Sequence, residues 1–122
     1  MQWKHYEEQM TGLIAAKIGF TMHYCHCEIG VITTGRQRVF SRYYVRVRLP
    51  NGTTECGEDH DGPVQALRRL NDLLKSCGVR LLAAGLDPRF YESGLSSQTS
   101  WGYLEGEHRA YHMIEAPGER TL

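Results

Sequence analysis

The chain has 122 residues with 14 basic and 14 acidic side chains, so its formal net charge is zero with histidine neutral. That length suits one domain with a core large enough to fold unaided, and the balance of charge excludes a global field of the kind that holds a protein on nucleic acid or an anionic membrane. No apolar run approaches membrane-spanning length, and Met1 to Glu8 lacks the basic start and apolar middle of a secretory signal, so the expected compartment is the cytoplasm. Four cysteines do not make a disulfide framework in a chain this long, and in that compartment they stay as thiols.

Trp3, Tyr6, Met10, Leu13, Ile14 and Lys17 recur at helical spacing, which predicts an N-terminal helix over about 3–17. Gly12 weakens it by about 1 kcal/mol relative to alanine, and Gly19 suits its end. From Phe20 to Thr33 the residues become β-branched and aromatic, a pattern for a strand that turns at Thr34-Gly35. The next strand alternates more clearly. Val39, Ser41, Tyr43, Val45, Val47 and Leu49 share a core face, and Phe40, Arg42, Tyr44, Arg46 and Arg48 share a wet one. Pro50-Asn51-Gly52 supplies a tight hairpin turn, and Thr53 to Gly57 returns as a short strand.

A helix over about 63–77 is well punctuated, with Asp61 or Gly62 as cap, Pro63 in the first turn and Gly78 at a left-handed stop. Val64, Leu67, Leu70 and Leu74 form its buried stripe. Val79 to Ala84 is apolar on both faces and reads as an interior strand, ended by Leu86-Asp87-Pro88. A long loop over 86–108 follows, polar between Ser93 and Gly102, then a last strand over about 109–114 and a frayed tail. The expected fold is a two-layer α+β domain: a mostly antiparallel sheet of about five strands, the second helix packed across one face, and the N-terminal helix nearby.

Five groups of residues could carry function. Cys25 and Cys27, with Cys56 and His60 as a second pair and His23 beside them, are chemically suited to zinc, although the Cys-x-Cys bite is awkward and plain core thiols are the simpler expectation. Arg36, Arg38, Arg42, Arg46 and Arg48, interleaved with Phe40 and Tyr44, could neutralise phosphates and stack bases. The order helix, three strands, helix over about Trp3 to Cys77 resembles a double-stranded RNA-binding domain, which implies nucleic-acid binding. It departs from that family at Glu55, Glu58, Asp59 and Asp61, where the family carries lysines, so nucleic acid is not the expected partner.

The acidic turn Glu58-Asp59-His60-Asp61-Gly62 suits a helix start and lacks the spacing of a calcium loop. The run Gly57 to Leu67 is similar to a piece of the regulatory domain of 2-isopropylmalate synthases, which implies a hairpin leading into a helix. Trp101 and Tyr103, set among serines and glycines with His108 and His112 beyond, suit adaptable recognition, and no nucleophile elbow accompanies them. Cys56, near His60, is the more credible nucleophile, because Cys77 lies at a helix C-terminus where the dipole disfavours a thiolate.

These readings converge on a small cytosolic binding protein with no chemistry of its own: an adaptor, a regulatory subunit or an immunity-type inhibitor. It would act on a protein through Trp101, Tyr103, Arg42, Tyr44, Arg46 and Arg48, with a homodimer through a sheet edge also open to it. The alternatives are a zinc- or thiol-dependent enzyme using Cys25, Cys27, Cys56 and His60, and nucleic-acid binding through the arginine strand.

Overall fold

A computed structural model of the chain describes residues 3–92 and 100–117. Its main sheet is antiparallel and five-stranded, with β1 (Lys4–Ile18), β2 (Thr21–Thr34), β3 (Val39–Arg48), β4 (Thr54–Asp59) and β5 (Val79–Leu82) in the order β4-β3-β2-β1-β5. A helix, α1 (Pro63–Lys75), packs across one face against β4, β3 and β5. A 3-10 turn at Ala84–Leu86 leads to a second antiparallel sheet of β6 (Phe90–Glu92), β7 (Trp101–Leu104) and β8 (Ala110–His112). The fold is thus α+β as expected, with one helix among the described residues.

The predicted N-terminal helix is instead β1, which pairs along its length with β2 and at its end with β5. Trp3, Tyr6 and Leu13, which helical spacing would bury together, are all exposed. The decisive periodicity is that of a strand: Ile14 and Ala16 are fully buried on the face beneath α1. Helix spacing and strand alternation overlap in so short an apolar run, and two neighbouring strands supply hydrogen bonds that an isolated helix turn cannot match. Gly19 belongs to the two-residue turn joining Ile18 to Thr21, where its positive φ of 62° suits the first central position.

The hairpin at Pro50-Asn51-Gly52 forms as expected, with Gly52 at φ 90° and the Asn51 side-chain oxygen accepting from the N–H of Thr53. Helix α1 buries Val64, Leu67, Leu70 and Leu74, and Gly78 follows it at φ 77°. Gly57 has no side chain to hold the helix away, so the backbone of α1 at Ala66 and Leu70 lies directly against β4. No side chain caps the helix start at Gly62.

β5 is an edge strand, not the interior strand its apolar composition suggests, because its second side is covered by a side chain. The Asn71 carbonyl oxygen on α1 accepts the Leu81 N–H at 3.0 Å. The stretch expected as one loop holds β6 and β7; residues 93–99 of that loop, and most of the tail, lie outside the described residues. Phe90, Leu104, Tyr111, Met113 and Ile114 join the same core as α1, with Ile114 against Gly12 and Met113 against Gly85. The small sheet therefore lies with α1 on the core side of the main sheet, and among the described residues no helix or strand packs across the other face.

Candidate functional site

The open face is read from the strand register. Leu13 stands opposite His26 and so beside Arg48, Ala15 is opposite Tyr24 and Leu82, and Lys17 is opposite Met22 and Arg80. Further along, Glu28 is opposite Arg46, which is opposite Cys56, while Gly30 is opposite Tyr44, which is opposite Glu58.

At one end this face curls over itself. Gln9 is an extra residue in β1 and Ser41 an extra residue in β3, and such bulges bend and twist the strands that carry them. Between them Gly30 lets the carbonyl of Glu7 and the ring of Tyr44 occupy the space of a side chain. Lys4 on β1 thereby reaches across two strands to Glu58 on β4, with Nζ to Oε2 at 3.1 Å.

Under this curl the expected wet face is dry. Tyr44 has no exposed surface and Ile32 beside it is also fully buried. The Tyr44 hydroxyl donates to Glu28, Arg46 Nη2 donates to the same carboxylate at 2.7 Å, and the Arg46 guanidinium lies 5.1 Å from the Tyr6 ring centre and 5.3 Å from that of Tyr44. Tyr6 meets Tyr44 edge-on at 5.1 Å and donates to Glu58 at 3.4 Å. Burial, reinforced by Glu28, raises the Tyr44 phenol above its ordinary range. Burial likewise pushes the Cys56 thiol up to about 11, with Glu58 adding to the effect and Arg46 opposing it. Tyr44 is thus an internal brace, Arg46 is a partly exposed side chain committed to Glu28, and Cys56 is a poor thiolate at neutral pH.

Phe40 departs from the alternation as well. The Ser41 bulge pairs it with Thr33 in place of the Ile32 side, and its ring packs against Tyr43 and His60. Arg42 and Arg48 are exposed, and β3 is interior, so this strand offers no free edge to a second chain.

The other end of this face is largely apolar and exposed among the described residues. Leu13 is 63 % exposed, Tyr24 54 % and Met22 46 %, and Phe20 stands fully exposed at the hairpin tip. Beside them a shallow groove of about 420 Å³ is lined by Ala15, Met22, Leu82, Leu86, Asp87 and Pro117. Asp87 is held there as an ion by a two-nitrogen clasp from Arg89, which lowers its pKa. Around the apolar surface, Lys17, Arg48 and Arg80 make no ion pair among the described residues, whereas Lys4 and Arg46 on the same face are both paired.

The zinc candidates are not brought together. Cys25 and Cys27 are buried in the core beneath α1, where burial raises both thiols and pushes Cys27 up to about 12. Cys56 points from the opposite face, and His60 is exposed beside Asp61 and Phe40. Among the described residues no three His, Cys, Asp or Glu side chains are grouped to hold a metal ion. The acidic turn latches the helix: Asp59 accepts from Arg69 Nε at 2.5 Å and from the Asp61 N–H at 2.8 Å, and these contacts outweigh burial to lower its pKa.

Sequence spacing gave no sign of a second cavity, about 260 Å³, where His23 and Cys77 meet with Leu49, Asn51 and Val79. These residues are distant in the chain and only the tertiary fold lines one cavity with them. Trp101 and Tyr103 lie on the small sheet, away from the arginines. Trp101 meets His112 edge-on at 5.2 Å, and Tyr103 stacks with Tyr91 at 5.9 Å. Comparisons with family models, curated proteins and solved structures find no match to this chain. No described helix is long and apolar enough to cross a membrane.

Proposed function

We propose that this chain is a non-enzymatic binding protein, an adaptor, regulatory subunit or inhibitor of the cytoplasm, that docks a protein partner on the open face of its main sheet. The observation that carries the reading is the exposed apolar surface of Leu13 and Met22, with Tyr24 beside them, continuous among the described residues with the groove at Ala15 and Leu82. Contiguous apolar surface rimmed by polar groups is the usual mark of an interaction site. Arg48 belongs to that rim, and Arg42 lies further along the same strand. The braced Tyr44 and Arg46 would hold the platform in shape, and Trp101 and Tyr103 form a separate patch.

The test is affinity capture from the native lysate with the wild-type chain, a Leu13→Glu, Tyr24→Glu variant and a Trp101→Ala, Tyr103→Ala variant. The reading expects a stoichiometric protein lost from the first variant and kept by the second. Loss from the second alone would move the interface to the small sheet, and capture indifferent to both would end the proposal.

A further inference from the structure

Lys17 and Arg80 stand directly opposite one another on β1 and β5. Like charges at facing positions of a sheet destabilise it, and neither side chain has an acidic partner among the described residues. Arg48, two strands away and beside His26, has no ion pair among the described residues either. The other acids of this face are placed or committed elsewhere: Glu28 to Arg46 and Tyr44, Glu58 to Lys4, Asp87 at the groove to Arg89, and Glu8 at the curled end opposite Gly30. Among the described residues three cations without an ion pair thus surround an exposed apolar surface, whereas Lys4 and Arg46 at the curled end of that face are paired and Arg42 stands exposed beyond them.

We infer that the occupant of this face is an acidic, extended protein segment carrying a large apolar residue. Its carboxylates would meet Lys17 and Arg80 at one end and Arg48 at the other, and its apolar side chain would enter the groove at Ala15, Met22 and Leu82. With about 3.4 Å per residue along a strand and about 4.8 Å between strands, Lys17 and Arg48 are roughly 16 Å apart, a span that about five extended residues cover. An acidic protein segment is favoured over nucleic acid because the groove itself, at Ala15, Met22, Leu82 and Leu86, is lined by flexible apolar side chains without an aromatic ring, which bury an apolar side chain well; Tyr24 and Phe20 beside it do offer rings to bases, which is why the oligothymidylate belongs in the test. The inference rests on the docking reading above and adds the chemistry of the partner.

The experiment pans a random peptide display library against the full chain and measures selected peptides by fluorescence anisotropy on the wild type, Arg80→Glu, and Lys17→Glu with Arg48→Glu, beside a labelled oligothymidylate. The expected result is enrichment of peptides with clustered Asp or Glu flanking a large apolar residue, bound about tenfold or more weakly by the reversed chains and weakened by salt. Arg80→Glu should also melt higher than wild type, since it turns a repulsive pair into an attractive one, so lost binding cannot be blamed on a lost fold. Peptides without carboxylates, binding indifferent to charge reversal, no enrichment, or tighter binding of the oligothymidylate would each overturn the inference. A lysate partner lost with Leu13→Glu, Tyr24→Glu but kept after charge reversal would remove this inference while leaving the docking reading in place.

Discussion

The side-chain carbonyl of Asn71, a buried residue in the middle of α1, accepts the backbone N–H of Leu81 at 3.0 Å. That bond occupies the free side of β5 at a point where another strand could otherwise add. It explains how an apolar four-residue strand can lie at the sheet edge without inviting a second chain.

Asn71→Leu keeps the volume and removes the acceptor. The variant is expected to lose about 1–3 kcal/mol, the cost of an unpaired buried N–H, and to self-associate through β5. Urea unfolding gives the first quantity and sedimentation velocity the second; a variant as stable and as monodisperse as wild type would refute the role assigned to Asn71.

Gly30→Ala places a methyl group where the Glu7 carbonyl and the Tyr44 ring already sit. Overpacking of this kind costs about 1–3 kcal/mol, and here the obstacle includes backbone, which cannot rotate away. The near-ultraviolet signal of Tyr6 and Tyr44 should change together with the loss of stability. Alanine at Gly35 instead meets no neighbour, so any cost there comes from its positive φ of 76° and not from overpacking.

His112 is buried, its Nε2 has no hydrogen-bond partner among the described residues, and its Nδ1 accepts from the Ile114 N–H at 3.3 Å. Burial lowers its pKa below the ordinary 6.5, with Glu115 opposing in part. The unfolded chain then binds a proton more readily than the folded one, so this contribution to stability is complete above about 6.5 and declines as the pH falls from there toward the folded pKa. Urea midpoints measured across this range should fall with acidity in the wild type and fall less in His112→Gln; parallel curves would show that His112 is not responsible.

Thiol accessibility should rank the cysteines. Cys77 is exposed, Cys56 is half-buried with a thiol pushed up to about 11, and Cys25 and Cys27 are buried. Iodoacetamide at neutral pH is expected to modify Cys77 first and Cys56 slowly, leaving Cys25 and Cys27 until denaturant is added. Fast labelling of Cys56 would revive it as a nucleophile.

Local chemistry alone was enough to read α1, the Pro50-Asn51-Gly52 turn and the alternation of Arg42, Tyr44, Arg46 and Arg48, because proline, glycine and period-two patterns act within a few residues. The same reasoning misassigned Trp3 to Lys17, since Ile14 and Ala16 satisfy a strand as readily as a helix until β2 and β5 are in place. Composition made β5 interior, and only Asn71, ten residues earlier in another element, supplies its cover.

The candidate surface divides in the same way. The residue types of the arginine strand were legible, but which arginine is spent internally was not. Arg46 is held by Glu28 and two tyrosine rings because bulges at Gln9 and Ser41 fold the sheet over Gly30, whereas Arg48 lies outside the curl and makes no ion pair among the described residues. By itself the sequence determined the helix, the turns and the face of each β3 side chain from Arg42 onward, as short-range properties of the backbone. The tertiary structure decided the identity of β1, the burial of Tyr44 and the facing of Lys17 with Arg80, because strand pairing and curvature bring together residues whose separation along the chain carries no signal.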